Sequence, residues 1–258
     1  MIDWGLGRYE RTAVELEPVA AHAVAVADLD PGERVVDLAT GTGNAALIAA
    51  RRRAAVTGLD AAERLIAVAR ERAAETDADV DFRVGDLHSL PFDDRSFDVA
   101  LSVFGLIFAD DAETALAEMM RVLRSGGRAV VSVWIPAGPI DAMNGVFARA
   151  MAAATGFTPS RFDWHDSDAV RALSARHGAE VSFHPGELRI EAESPEAFLA
   201  TAEDHPMTVA GLPILERAGT AETTRKQALA VLREGNEDSS RFRVTNPYRL
   251  IGLQRQTP

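Results

Sequence analysis

Apolar positions along the first half of the chain follow two spacings, one typical of short buried strands and one typical of amphipathic helices. Short apolar runs rich in β-branched residues predict strands at 35–38, 55–59, 80–84, 97–103 and 128–134. Apolar residues three and four positions apart predict helical structure from 1 to about 30, where the spacing runs from Ala13 to Ala27, and helices at 45–52, 63–74 and 112–123. Strands that alternate with helices in this way form parallel sheets covered on both faces. We therefore expect an α/β fold with a doubly wound, mostly parallel sheet.

The pattern changes after Pro136. Helical spacing predicts helices at 140–154, 168–176, 195–203, 212–218 and 221–233, and extended segments at 179–192 and 242–254. The helices between about 194 and 235 separate two late extended segments. Inserted segments of this kind often carry function, so we interpret this one as a lid.

Composition narrows the classes of function. The chain has 258 residues, a formal net charge of -12 and no cysteine. An acidic surface repels phosphate backbones, which disfavours nucleic acid as a partner. Without cysteine, disulfides, thiolate nucleophiles and zinc–thiolate sites are excluded. The histidines show no metal-ligand spacing, so we predict no metal. No apolar run has the ~18 residues of a membrane helix, and the first residues lack the features of a signal peptide. We expect a cytoplasmic protein that does not bind a membrane.

A glycine turn follows the first predicted strand. Asp37 lies at the end of that strand, Gly41 and Gly43 follow closely, and the apolar run 45–50 begins a helix. A strand, tight turn and helix in this order bring backbone amide groups close to a ligand. The carboxylate of Asp37 can bind a cationic or hydroxylated group of that ligand.

Polar residues end the next three predicted strands as well. Asp60 lies 23 residues after Asp37, near the ~20-residue offset at which an acidic residue binds ribose hydroxyls. Gly85-Asp86 ends the third strand and Ser102-Val103-Phe104 the fourth. Each acid alone can be a turn-capping residue. Together they lie at the carboxyl edge of a parallel sheet, where open α/β folds bind ligands.

These motifs resemble those of class I S-adenosylmethionine-dependent methyltransferases, in the type 11 branch of ubiquinone- and menaquinone-biosynthesis-like small-molecule enzymes. Residues 35–43 resemble the first motif, and Leu59-Asp60 resembles the ribose-binding acid. Gly85-Asp86-Leu87, with Leu90-Pro91-Phe92, resembles the adenine-binding motif. The resemblance is strong over about 30–135 and weak elsewhere. Ala39 stands where many relatives have the first glycine of the turn.

The resemblance implies a Rossmann-like sheet of seven strands with the last strands antiparallel. It implies one methyltransferase domain over 1–258, with a helical cap at 1–30, a cofactor-binding core at 31–136 and substrate-side elements at 137–258. The cofactor is S-adenosylmethionine, and the product is S-adenosylhomocysteine. Asp37 is expected to bind the ammonium group, Asp60 the ribose and Asp86 the adenine amino group. The other implied cofactor contacts are Tyr9, Ala39, Thr40, Gly41, Gly43, Asn44, Ala61, Gly85, Leu87, Ser102 and Phe104.

The expected activity is methyl transfer to a small molecule by in-line displacement. Apolar side chains in the later half favour an apolar or aromatic acceptor; they are Phe147, Met151, Phe157, Phe162, Phe198, Met207 and Leu212. His205 is the candidate general base, and His88 is interpreted as a solvated loop residue. Asn246-Pro247-Tyr248 resembles a motif of DNA amino-group methyltransferases. It falls in the last strand rather than after the fourth, and we interpret it as a coincidence.

Two other classes of protein stay open. A regulatory or assembly protein can bind the same cofactor without catalysis. A nicotinamide-dependent dehydrogenase is the third interpretation, but residues 44–46 lack the third glycine of the dinucleotide fingerprint. The sequence leaves open the acceptor, the attacked atom and the oligomeric state, a homodimer included.

Overall fold

The computed structural model describes residues 3–159 and 161–257. Its helices are α1 (Tyr9–Ala27), α2 (Asn44–Arg51), α3 (Glu63–Glu75), α4 (Ala112–Val122), α5 (Gly138–Thr155), α6 (Ser167–Arg176), α7 (Pro195–Glu203), α8 (Pro206–Arg217) and α9 (Ala221–Glu234), with a 3-10 helix at Leu106–Phe108. Its strands are β1 (Arg34–Leu38), β2 (Ala55–Asp60), β3 (Val80–Val84), β4 (Phe97–Val103), β5 (Leu123–Trp134), β6 (Ala179–Ala192) and β7 (Phe242–Arg255).

In the described residues, seven strands form one sheet in the order β3-β2-β1-β4-β5-β7-β6. Neighbouring strands from β3 to β5 pair in parallel, and β7 pairs antiparallel to β5. β2 and β3 lie on one side of β1, and β4 lies on its other side. The order therefore reverses between β1 and β4, which is the position where such sheets bind ligands. The predicted α/β class, the mostly parallel sheet and the late helical insertion are confirmed.

Burial explains why the central strands form where the sequence predicts them. In β1, Val35, Val36 and Leu38 are fully buried, as expected of a strand that is covered on both faces. From α4, Leu116 and Met119 join the core cluster beneath the sheet. Each such side chain contributes about 1.5–3 kcal/mol on burial, so the parallel core has enough apolar surface to fix its register.

Two element boundaries differ from the sequence prediction. β5 begins at Leu123 rather than Arg128, because Leu123 pairs with Phe97 before the register shifts at a bulge. α8 begins at Pro206, six residues before the predicted start. His205 caps this helix by accepting a hydrogen bond from the backbone N–H of Met207. Histidine is not among the usual N-cap residues, so the apolar pattern alone missed this turn.

The chain divides into two compact units. The first comprises Met1–Glu15, Ile135–Ser160 and Glu187–Pro247, and the second comprises Leu16–Trp134, Arg161–Gly186 and Tyr248–Pro258. In the first unit, Phe198 stacks on Phe242 with ring centroids 4.9 Å apart. The second unit contains β1–β5.

Among the helices of the described residues, none combines the length and apolarity that a bilayer span requires.

Candidate cofactor site

The turn after β1 is held in a left-handed backbone conformation. Gly41 has φ 56° and Gly43 has φ 87°, which glycine adopts without a steric penalty. Ala39 has φ 54°, a conformation that costs a non-glycine residue roughly 1–2 kcal/mol. The N–H of Thr40 donates to the carbonyl oxygen of Leu59 at 2.9 Å, which fastens the turn to the end of β2.

Asp37 is a buried carboxylate with one unused oxygen. Its side chain is only 1% exposed. Oδ2 accepts hydrogen bonds from Thr40 Oγ1 at 2.6 Å and from the N–H of Ala46 at 3.0 Å. Oδ1 has no hydrogen-bond partner in the described part of the chain. Burial raises the pKa of Asp37 to about 7, against the two hydrogen bonds and with a smaller contribution from Asp60. When it is ionised, Asp37 therefore carries a buried charge that the described residues do not compensate fully.

Asp60 connects the turn after β1 to the end of β2. Its Oδ2 accepts from the N–H of Gly41 at 2.8 Å, and its Oδ1 accepts from the N–H of Ala62 at 2.8 Å. The backbone carbonyl of Asp60 also accepts from the N–H of Gly85 at 3.0 Å. Burial raises the pKa of Asp60, although hydrogen bonds from the amides of Ala62, Gly41 and Ala61 oppose it. The ends of β1, β2 and β3 are thereby brought together, as the sequence predicts.

Asp86 follows β3 and is fixed by His88. Asp86 Oδ1 accepts from the N–H of His88 at 2.9 Å and lies 2.8 Å from His88 Nδ1. His88 Nε2 accepts from the N–H of Asp111 at 3.3 Å, so we assign the neutral tautomer with its proton on Nδ1. These bonds from His88 lower the pKa of Asp86. His88 lies in a turn, as predicted, with its side chain 25% exposed, and both of its ring nitrogens are hydrogen-bonded within the chain.

Arg72, on α3, holds the glycine turn from beneath. Its Nη1 donates to the carbonyl oxygen of Thr42 at 2.6 Å, to Thr42 Oγ1 at 3.0 Å and to Asn44 Oδ1 at 2.8 Å. Sequence reasoning missed Arg72, because no local pattern relates it to a turn almost thirty residues earlier. The side-chain oxygen of Asn44, a predicted cofactor contact, is used in this internal bond.

The end of β4 packs directly on the turn after β1. Ser102 Oγ donates to the carbonyl oxygen of Leu38 and accepts from the N–H of Leu106, both at 2.9 Å. A Cβ added to Gly105 would lie 2.4 Å from the Cβ of Ala39. Ser102 is fully buried, so its hydroxyl serves the fold at this position.

Phe104, two residues further, also lies in a left-handed conformation, with φ 52°. Its N–H donates to Ser132 Oγ at 2.8 Å. Its ring stacks on Trp134 with centroids 3.9 Å apart and planes 8° apart. Two further predicted cofactor contacts lie in the same unit. Of these, Ala61 is exposed and Leu87 is half-buried.

Tyr9 and His205 lie together in the first unit. Their ring centroids are 6.2 Å apart, and Trp4 packs edge-on against both, at 5.9 Å from Tyr9 and 5.7 Å from His205. Burial lowers the pKa of His205. His205 Nδ1 accepts from the N–H of Met207 at 3.3 Å, so the neutral ring carries its proton on Nε2. In this tautomer Nε2 donates a hydrogen bond rather than accepting a proton.

A cavity of about 690 Å³ lies at the opposite, amino edge of the sheet. Arg34 and Ala55, the first residues of β1 and β2, contribute to its wall, together with Arg51 and Asp79. None of the strand-end carboxylates lines it. Among the described residues, no cluster of three or more His, Asp or Glu side chains has the arrangement of a metal site.

Comparison with known proteins identifies the family. Residues 36–131 match the family described as a methyltransferase domain. An uncharacterised protein of Mycobacterium tuberculosis is 35% identical over 158 residues, which cover 61% of this chain and 55% of that protein. Demethylmenaquinone methyltransferase of Thermotoga maritima is 32% identical over 170 residues, which cover 59% of this chain and 72% of that enzyme. The chain belongs to the class I S-adenosylmethionine-dependent methyltransferases.

The fold of this methyltransferase is also that of solved structures. The YcgJ protein of Bacillus subtilis superimposes with a TM-score of 0.64 at 19% identity, covering 93% of this chain and 98% of that one. The family match runs from β1 to β5 and includes Asp37, Asp60 and Asp86. The chain spans about half the length of the mycobacterial relative, 55%.

In this methyltransferase we expect Arg72→Gln to weaken binding of S-adenosylhomocysteine about tenfold, because charge-assisted hydrogen bonds to the turn are lost. Isothermal titration calorimetry measures the affinity. Arg70→Gln is the matched control, since Arg70 lies on the same helix and donates to the carbonyl oxygen of Phe82 instead. Equal loss of affinity in both variants would show that Arg72 does not act through the turn.

Proposed function

We propose that the protein transfers a methyl group from S-adenosylmethionine to a small-molecule acceptor. The observation that carries the proposal is the unpartnered Oδ1 of buried Asp37. A buried charged oxygen without a donor is costly. The ammonium group on the methionine part of the cofactor would supply both a donor and a compensating positive charge.

The neighbouring acids fit the rest of the same ligand. The Asp60 carboxylate accepts backbone N–H groups of Gly41, Ala62 and Ala61, and a carboxylate has about four acceptor sites, which leaves one for a ribose hydroxyl. His88 holds Oδ1 of Asp86, which leaves Oδ2 to accept from the adenine amino group. These assignments, and that of Tyr9 as a residue that closes over the cofactor, are proposals on which the transfer depends.

The chain's own contribution to the reaction is orientation and exclusion of water. When bound, S-adenosylmethionine supplies an already activated methyl group. Holding two reactants in the correct geometry can contribute ~7–11 kcal/mol. Residues that fix the end of β4 against the turn, Ser102 and Gly105, would keep the cofactor-binding backbone rigid. A general base is needed only for an acceptor that must lose a proton. His205 stays a prediction in that role, and it would first have to release the N–H of Met207.

We propose an apolar or aromatic acceptor. The Thermotoga relative is a demethylmenaquinone methyltransferase, which supports a quinone-like ring as the first candidate. The net charge of -12 favours a small molecule over a nucleic acid. Two of the apolar side chains that suggested this class are used in packing, because Phe198 stacks on Phe242 and Phe162 packs on Trp164. Phe157 and Met207 are exposed and remain candidates for acceptor contact.

Two measurements test the proposal. Calorimetry compares S-adenosylmethionine, S-adenosylhomocysteine and NAD as ligands. A transfer assay then follows the radiolabelled methyl group into a demethylated quinone and into a metabolite extract. Binding with transfer supports the proposal. Binding of both sulfur ligands without transfer to any acceptor would favour the regulatory alternative, and binding of NAD alone would overturn the cofactor assignment.

A further inference from the structure

Asn246, on β7, is a buried amide whose hydrogen bonds are not made. Its side chain is 3% exposed. Neither Oδ1 nor Nδ2 has a hydrogen-bond partner among the described residues. A carboxamide offers two donor hydrogens and two acceptor lone pairs, and a buried polar group left unsatisfied costs about 1–3 kcal/mol. Such a residue lowers stability unless something outside the chain completes its bonds.

The start of α5 lies beside this amide, in the same unit. Asn246 Oδ1 is 3.7 Å from the position that a Cβ on Gly138 would occupy. Gly138 is the first residue of α5 and has φ 82°. Ala137, the N-cap residue, supplies no side-chain hydrogen bond. The N–H groups in the first turn of a helix have no partner within the helix. Pro139 has no N–H, so the first two that this helix end offers to an acceptor are those of Gly138 and Ile140. A Cβ at Gly138 would be in van der Waals contact with this amide and with the carbonyl oxygen of Thr245, 3.5 Å away.

The chemistry of these groups selects a neutral ligand that both donates and accepts. A carbonyl or ether oxygen would leave Asn246 Oδ1 without a donor. A carboxylate would also leave Oδ1 without a donor, and the first turn of α5 already carries the negative charge of Asp141. A hydroxyl group can donate to Oδ1 while it accepts from Nδ2 or from the N–H of Gly138.

We propose that Asn246 and the first turn of α5 bind a hydroxyl group of a small-molecule ligand. This proposal adds a substrate group to the proposed function. It rests on that function in one respect only, which is that the ligand is taken to be the methyl acceptor. The acceptor is then a phenol, an alcohol or the reduced, dihydroxy form of a quinone-like ring, and Asn246 is a residue that determines its specificity. The resemblance of 246–248 to a DNA-enzyme motif has no part in this argument.

The first test is the stability of Asn246→Leu, which keeps the number and branching of the side-chain heavy atoms. We expect a rise in Tm of about 2–4 °C, because an unsatisfied buried amide is removed. Asn236→Leu is the matched control in the same unit. The amide of Asn236 donates to the carbonyls of Asp238 and Arg241 and accepts from the N–H of Arg243, so its loss should lower Tm. A fall in Tm for Asn246→Leu comparable to the control would show that Asn246 is a structural residue and would overturn the inference.

The second test uses phenol as the probe and its methyl ether, anisole, as the probe without a donor. Millimolar phenol should shift the side-chain amide resonances of Asn246 in ¹⁵N-correlated NMR spectra, and anisole should not. Asn246→Leu should weaken phenol binding about tenfold and leave S-adenosylhomocysteine binding unchanged. Equal shifts with both probes, or none with phenol, would overturn the inference. The NMR samples contain no methyl donor, so the result does not depend on whether the protein transfers methyl groups. Failure of the proposed function would appear only in the transfer assay.

Discussion

Replacing Asp37 by asparagine is expected to weaken binding of S-adenosylhomocysteine about 100-fold while it stabilises the unliganded protein above pH 7. A hydrogen bond between charged groups is worth about 1.5–3 kcal/mol, and this variant removes one that we assign to the ammonium group. Asparagine still accepts from Thr40 Oγ1 and the N–H of Ala46. Calorimetry gives the affinity and chemical denaturation gives the free energy of unfolding.

The pH dependence follows from the pKa of Asp37, which rises from 3.8 to about 7 in the folded protein. Between these values the folded state binds the proton and the unfolded state does not, so stability falls as pH rises from about 4 to 7. Above pH 7 the buried charge costs about 4 kcal/mol. Ammonium binding needs the ionised form, so wild-type affinity should rise between pH 6 and 8. In Asp37→Asn the affinity trend should be absent and the fall in stability should be smaller, because the part that comes from the raised pKa of Asp60 remains.

Asp98→Asn is the control, because the pKa of Asp98 is shifted in the opposite direction to that of Asp37. Partial burial raises the pKa of Asp98, but hydrogen bonds from Arg34 and Arg124 outweigh it and lower the pKa to about 2. The stability that Asp98 contributes is therefore present above about pH 4 and is lost as pH falls towards 2. We expect this variant to be less stable at pH 7 with unchanged cofactor affinity. Wild-type affinity in Asp37→Asn would contradict the ammonium assignment.

Gly105→Ala is expected to destabilise the protein by about 1–3 kcal/mol, the usual cost of overpacking, and to weaken cofactor binding at least tenfold. Gly105 has φ -97°, which alanine adopts freely, so the effect is steric. The new methyl group would lie 2.4 Å from the Cβ of Ala39 and 2.9 Å from Ser102 Oγ. The turn after β1 would have to move, and the cofactor-binding backbone would move with it.

Ala39→Gly should recover more than half of that loss in the double variant, because it removes the nearer of the two clashing atoms. A double-mutant cycle by chemical denaturation measures the coupling. Gly145→Ala, in the interior of α5, is the control. It meets only the flexible end of Arg149, at 3.1 Å, and should be neutral or stabilising. Additive effects of the Ala39 and Gly105 substitutions would mean that β4 and the turn are not in contact.

The sequence alone predicts the elements whose signals are local. The apolar run of β1, the glycine turn and the acids at 37, 60 and 86 are all recognised from neighbouring residues, and the structure brings these acids to adjacent strand ends. Arg72 was missed because the turn that it bonds is distant in sequence. Asn246 was set aside because its burial without a hydrogen-bond partner is visible only in the structure. The start of α8 had a usable signal, since Pro206 at the first helical position is typical of a helix start.

Asp60 holds the amides of Gly41 and Ala62 by hydrogen bonds that are internal to the chain. The loop that would surround the cofactor is therefore ordered when the protein folds, and association loses little further conformational entropy. Differences in affinity among cofactor analogues would then reflect the hydrogen bonds and packing of each analogue itself, free of any contribution from loop ordering.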